Sequence, residues 1–249
     1  MSDTHAPRFL VPALLSAGEE IGLPDRVARH IAVLRLREGD PLVLFSGEGG
    51  EHAARLTAVA RGAARALVGE YRHPTRESPL KITLAQCISG GDRMDLALQK
   101  ATELGVHAIV PLQSERSVVK LRDDRTEKKL LHWRNVVAAA CEQCGLNTLP
   151  SVATPVDLHA WLASLQPWHA GDATRIVLNP EATTGMGQLA QCIHVILLIG
   201  PEGGLAPHEL AAAADKGFRG VRLGPRVLRT ETAPLAAITA LQVLWGDLR

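Results

Sequence analysis

Leu197-Leu198-Ile199-Gly200-Pro201-Glu202-Gly203-Gly204 is the stretch from which the rest of the chain is read. An apolar run suited to a buried strand ends in a glycine-rich turn, and helical texture resumes near Pro207. Strand–turn–helix joints of this kind lie at the carboxyl edge of open parallel sheets, where ligands bind. Glycine there lets a ligand approach the backbone, although a tight turn with no ligand has the same composition. The stretch lacks the Lys-Ser/Thr of a P-loop and is not G-x-G-x-x-G, which argues against a nucleotide-binding enzyme of ordinary doubly wound topology.

Working outward, apolar runs at Leu80–Cys87, Ala108–Leu112, Arg175–Leu178 and Val221–Leu223 join Val195–Ile199 as strands. Helical periodicity separates them: Arg93–Leu104, about Arg125–Cys144, Pro207 to Gly217, and Ala233–Trp245. Runs apolar on both faces and alternating with helices predict a parallel sheet covered on its two sides. About Thr148–Asp172 the pattern is least regular. Before the two prolines of residues 73–79, read as a linker, the texture is different. Short strands (Arg8–Val11, Pro41–Ser46, Glu51–Ala60, Ala63–Tyr71) surround one helix, Pro24–Leu36, and Gly47-Glu48-Gly49-Gly50 reads as a hairpin loop. That pattern predicts a small β-barrel. The expected domains are therefore 1–72 and 80–249.

A second joint, Leu223-Gly224-Pro225-Arg226-Val227-Leu228-Arg229-Thr230-Glu231-Thr232-Ala233, also follows a strand and opens a helix. Thr230 or Thr232 can cap that helix, whose free N–H groups attract an anion. An ordinary capped helix with Arg229 and Glu231 as a solvated pair is the alternative. Three upstream patches accompany it: Lys100–Val106, the basic loop Glu115–Leu121 with Arg116, and Glu142–Gly145.

Composition narrows the classes. The 249 residues are 46% hydrophobic with a net charge of +1, so any polyanion must meet a local basic surface. Aromatic residues are only 3%, which argues against a sheet that stacks many bases. No apolar run reaches the roughly 18 residues of a membrane span, and the N-terminus has no secretory h-region. A cytoplasmic protein with reduced thiols is expected. Cys141 and Cys144 stand in C-x-x-C, but no second ligand pair accompanies them, so no metal is expected and helix packing is the favoured reading.

Taken together in this order and spacing, the five patches resemble the 16S rRNA uracil-N3 methyltransferases, the RsmE family of the SPOUT superfamily. The likeness covers nearly the whole chain, and Leu228-Arg229-Thr230-Glu231-Thr232-Ala233 is its most telling piece. The resemblance implies an N-terminal PUA-like RNA-binding barrel and a C-terminal α/β methyltransferase domain with a deep trefoil knot. It also implies S-adenosylmethionine as cofactor, a homodimer, and methylation of N3 of a uridine in 16S rRNA of the small ribosomal subunit. The cofactor is then expected against Leu178, Pro180 and Glu181, against Ile199, Gly200, Pro201, Glu202, Gly203 and Gly204, and against Leu223, Gly224, Leu228, Arg229, Thr230, Thr232 and Ala233, with Leu223 and Leu228 about the adenine. Uridine N3 must lose a proton, which calls for a base or for a cation at the developing oxyanion. Arg229 and then Arg116 are the expected cations, and Glu142 and Glu231 the expected bases. An ion-pair network is the alternative role for all four. RNA is expected to meet Arg8, Arg29, Arg35, Arg37 and Arg116. A ribose 2′-oxygen or tRNA methyltransferase, or a non-catalytic RNA-binding assembly factor, are the competing functions. The family pattern has Arg soon after the Glu-Gln pair, where this chain has Leu146 and Asn147.

Overall fold

The computed structural model describes residues 6–120, 123–169 and 171–248. The chain divides into two compact units, Met1–Glu77 with Cys141–Leu149, and Ser78–Ala140 with Pro150–Arg249.

The first unit contains β1 (Arg8–Leu10), β2 (Glu20–Gly22), α1 (Asp25–Val33), β3 (Pro41–Phe45), β4 (Glu51–Ala60) and β5 (Ala63–Arg72). They form one sheet in the order β1-β3-β4-β5-β2. Along β5 burial alternates, with Ala64, Ala66 and Val68 inward, as the period of two requires. Val27, Ala28 and Ile31 of α1 join these residues in the core with Phe9, Leu42 and Leu44. Register shifts in β4 fall between His52 and Ala54 and between Leu56 and Ala58. Such irregularities sharpen the bend of a strand. Strand β2 escaped the sequence reading because Glu20-Ile21-Gly22 carries a single apolar residue.

The segment Cys141–Leu149 is tied into this unit by ions. Glu51 Oε2 accepts from Arg8 at 2.5 Å, from Arg76 at 2.8 Å and from Asn147 Nδ2 at 3.1 Å. The carbonyl of Gly145 accepts from both arginines, and Asn147 Oδ1 accepts from Arg8. Burial raises the pKa of Glu51, but the donors on Arg76, Arg8 and Asn147 more than offset it and hold the carboxyl at about 2. Asn147, fully buried, thus has a structural task.

The second unit contains β6 (Lys81–Cys87), α2 (Asp92–Glu103), β7 (Ala108–Gln113), α3 (Asp123–Cys144, whose last residues from Cys141 group with the first unit), β8 (Ser151–Val152), β9 (Val156–Asp157), α4 (Leu158–Ser164), β10 (Thr174–Leu178), β11 (His194–Ile199), α5 (Pro207–Asp215), β12 (Arg219–Val221) and α6 (Thr232–Trp245). The sheet runs β12-β10-β11-β6-β7-β8, with β9 also on β7, and every pairing is parallel. Ala85, Cys87, Val177 and Leu198 pack with α4 and α5, while the alternate residues Leu84, Ile176 and Leu197 are equally buried. Both faces are therefore covered, as the uninterrupted apolar runs predict. Helix α4 lies in the stretch that looked irregular. It is only seven residues long, buries Leu158, Trp161 and Leu162, and is capped by the Asp157 carboxylate accepting from Ala160 N–H. Strand β12 starts and ends two residues earlier than the expected Val221–Leu223, because Leu223 belongs to the loop beyond it.

The chain leaves β9 and α4, forms β10, and only then inserts β11 between β10 and β6. Three neighbouring parallel strands, β12, β10 and β11, thereby present their carboxyl ends side by side. This is the edge at which an open α/β sheet binds its ligand.

Candidate active site

Loops following β10, β11 and β12 enclose a cavity of about 960 Å³. That is near the upper end of the ~300–1,000 Å³ common for small-molecule sites. Leu178, Ile199, Leu205, Leu223 and Leu228 supply apolar wall, and the glycine turns supply backbone.

The first loop is shaped by what glycine omits. A side-chain carbon on Gly200 would stand 3.1 Å from Leu205 N and 3.2 Å from Leu205 Cγ, so Leu205 would have to give way to admit one. Gly204 adopts φ +68 and donates its N–H to the Pro201 carbonyl at 2.9 Å. Helix α5 then starts with Glu209 Oε2 accepting from Ala206 N–H at 2.8 Å, while Oε1 accepts from Glu115 N–H at 2.9 Å. The Glu209 carboxylate thus holds the start of α5 and also anchors the basic loop of Arg116.

Thr230, expected as a helix cap, is buried and does something else. Its hydroxyl donates to the Gly200 carbonyl at 3.0 Å, stitching the second glycine loop to the first. Glu231 sits at the N-cap of α6 with no side-chain capping bond. The solvated Arg229–Glu231 pair is not formed either. Glu231 Oε2 lies 3.9 Å from Arg93 Nε, and Arg93 also donates to Glu202 Oε1 at 2.9 Å. Glu202 is raised by burial, but the N–H groups of Gly90 and of its own backbone, with Arg93, outweigh this and hold its carboxyl below the usual range. Glu231 Oε2 is buried and makes no hydrogen bond. Arg229 is exposed on the cavity wall and makes no ion pair among the described residues.

Most of the expected cofactor residues line this cavity: Leu178, Pro180, Glu181, Ile199, Gly200, Pro201, Glu202, Gly204, Leu223, Gly224, Leu228, Arg229, Thr230 and Ala233. Gly203 and Thr232 do not. The Gly203 carbonyl accepts from Arg116 at 3.1 Å, and Thr232 N–H is spent on the Arg229 carbonyl. Arg116, Arg229 and Glu231, expected to be catalytic, are brought together here. Glu142 is not among them. It belongs to the first unit, where its carboxylate accepts from Leu10 N–H at 2.9 Å and from Arg26 at 3.0 Å.

Arg93, Arg222 and Arg226 also line the cavity and were missed. Arg222 stood in the short strand run and Arg226 in the second joint with no motif to single them out, and Arg93 was only the first residue of an expected helix. Five arginines against Glu181, Glu202 and Glu231 give this edge the local positive charge that the net charge of the chain conceals.

Among the expected RNA ligands of the first unit, Arg29, Arg35 and Arg37 are exposed. Arg8 is a correction: its guanidinium is consumed by Glu51, Gly145 and Asn147 and is 13% exposed, so it holds the unit together. Neither Cys141 nor Cys144 is in a disulfide, and burial pushes Cys141 up to about 12, which leaves it unreactive. Among the described residues no cluster of three His, Cys, Asp or Glu suits a metal ion, and no helix is long and apolar enough to cross a membrane.

Known proteins share the sequence and fold of this chain. An RNA methyltransferase domain model matches residues 76–242, and an RNA methyltransferase PUA domain model matches residues 23–68. These matches place the chain in the class of RNA methyltransferases that pair such a domain with a PUA domain. Ribosomal RNA small subunit methyltransferase E of Buchnera aphidicola is 35% identical over 244 residues, covering 97% of this chain and 98% of its own. The crystal structure of a ribosomal RNA small subunit methyltransferase E from Neisseria gonorrhoeae bound to S-adenosyl methionine is 42% identical, with a TM-score of 0.91, covering 98% of this chain and all of that one. A putative methyltransferase from Legionella pneumophila, in complex with bound SAM, gives 36% identity and a TM-score of 0.93, covering 98% and 100%. The chain belongs to the ribosomal RNA small subunit methyltransferase E family.

Proposed function

We propose that this protein methylates N3 of a uridine in 16S rRNA of the small ribosomal subunit, with S-adenosylmethionine held by the loops after β10, β11 and β12. The observation that carries the reading is the cavity itself, which gathers both glycine joints, apolar walls and Arg229, without an ion pair among the described residues, at the carboxyl edge of three adjacent parallel strands.

The residues present fit the cofactor. Leu178, Ile199, Leu223 and Leu228 suit a flat purine, and the turns at Gly200 and Gly224 leave room for backbone contact. When bound, S-adenosylmethionine supplies a methyl group on a positive sulfur, already activated for in-line displacement. The protein must then orient the uridine and manage its N3 proton. Arg229 stabilises the charge that develops on a uracil oxygen as that proton leaves, with Arg116 as a second cation lining the same cavity. Glu231, whose Oε2 makes no hydrogen bond, is the base candidate at this pocket. Arg93 Nε, 3.9 Å from Glu231 Oε2, holds that carboxylate at the cavity wall.

Residues 1–72 act as the PUA-like RNA-binding domain, through Arg29, Arg35 and Arg37, and 80–249 as the methyltransferase domain beyond the linker. A knot in the second unit is supported by strand order and by two contacts. Arg222 N–H donates to the Thr184 carbonyl, and α6 packs on the 3-10 turn Met186–Gln188, so chain after β12 runs against chain after β10. A homodimer in the cytoplasm completes the reading.

The test incubates the protein with labelled methyl donor and either naked 16S rRNA or small subunits, then maps the product nucleoside. Label at uridine N3 is expected. Label on a ribose 2′-oxygen or in tRNA transfers the reading to a related methyltransferase, and no calorimetric binding of S-adenosylmethionine leaves an assembly factor.

A further inference from the structure

Gln86 is fully buried in β6, and the sheet register sets it opposite Ile199, the residue just before Gly200. Its amide nitrogen donates to the Cys87 carbonyl at 3.1 Å and to Thr230 Oγ1 at 3.4 Å. A carbonyl can only accept, so the nitrogen, not the oxygen, faces this side. A threonine hydroxyl has one proton. Receiving a donor from Gln86, Thr230 has that proton free for the Gly200 carbonyl. The bonds run in one direction, from sheet to second loop to first loop.

A second observation separates this arrangement from ordinary core packing. Gln86 Oε1 is buried and makes no hydrogen bond. An unpaired buried acceptor destabilises a fold, and an apolar side chain of the same length avoids that loss. Stability alone therefore does not account for an amide at this place.

We propose that Gln86 is a positioning residue for the cofactor loops: its amide orients the Thr230 hydroxyl and so locks Gly200–Gly204 against Gly224–Thr232. The proposal rests on the reading of the cavity as an S-adenosylmethionine site. Gln86 touches no substrate; it acts through Thr230, and the locked loops need no reordering when ligand enters.

Gln86→Met keeps length and removes both polar atoms. Calorimetry is expected to show S-adenosylmethionine affinity about 3- to 10-fold weaker, the range of one hydrogen bond. Melting temperature is expected to hold or rise. Amide exchange, measured without cofactor, is expected to quicken at residues 200–205 and 230–233 and nowhere else. Gln86→Met combined with Thr230→Val should bind no more weakly than Thr230→Val alone, since both cut one chain of bonds. Ser89→Ala, which removes a neighbouring buried hydroxyl with no partner, should leave affinity unchanged. Unaltered affinity and loop exchange in Gln86→Met overturn the proposal. So does a fall in melting temperature with exchange quickening across the whole unit, which makes Gln86 a core residue only. Because exchange is read without ligand, it decides the locking even where wild-type protein binds no S-adenosylmethionine, the result that overturns the pocket reading itself.

Discussion

Replacing Glu51 by Gln removes the charge at the centre of the first unit while keeping nearly the same shape. Its Oε2 receives three donors, and the residue is 8% exposed. The folded carboxyl titrates at about 2 against 4.5 unfolded. At about 1.4 kcal/mol per pH unit, that difference is worth ~3 kcal/mol. Arg76 is 40% exposed, and solvent screening of its share reduces the figure to about 2 kcal/mol. The sign follows from the lowered pKa. The contribution is fully present above 4.5 and is lost as pH falls towards 2. Urea unfolding of wild type and Glu51→Gln should therefore differ by about 2 kcal/mol at neutral pH. By about pH 3 more than half of that difference should have gone. The probe matters: Trp133, Trp161, Trp168 and Trp245 all lie in the second unit, so tryptophan fluorescence is blind to this change. Amide exchange along β4 and β5 reads it directly. Equal stability at neutral pH, or a difference that persists unchanged at acid pH, refutes the reasoning.

Two further outcomes concern function. Arg229→Ala should lower kcat for methyl transfer by about 10²–10³, the usual loss for one oxyanion-stabilising donor, with Arg229→Lys recovering part of it; an unchanged kcat removes Arg229 from the chemistry. Arg35→Ala with Arg37→Ala should weaken RNA binding, reduce the slope of log affinity against log salt by about 2, and leave S-adenosylmethionine affinity as it was; a salt titration that overlays the wild-type curve removes these two from the RNA surface.

Hydrophobic period made the second unit legible. β6, β7, β10 and β11 are apolar on both faces, and α2 and α6 carry clear helical spacing, so their positions follow from local sequence. Short elements lacked that signal: β2 has one apolar residue, and α4 makes barely two turns and depends on tertiary burial of Trp161. The backbone half of the candidate site was legible because glycine after an apolar strand is itself the signal. Its side-chain half was not. Arg93 reaches the cavity only because β6 and β11 are neighbours in the sheet, a pairing across more than a hundred residues. The same holds for Glu142 and Arg8, whose partners lie 132 and 43 residues away along the chain. Charged residues announce chemistry equally well when their task is to hold backbone in place.

Membership of Cys141–Leu149 in the first unit bears on how the chain folds as it is made. The Gly145 carbonyl and the Asn147 amide that engage Arg8 and Arg76 do not exist when residue 77 is synthesised. The intervening chain of 72 residues, from 78 to 149, takes about 4–14 s at ~5–20 residues per second. For that interval the nascent N-terminal sheet carries Arg8 and Arg76 without those acceptors while α2, β7 and most of α3 emerge behind it. The two units therefore cannot be completed one after the other, and a gene fragment cut at the linker encodes a first unit that lacks part of its own interior.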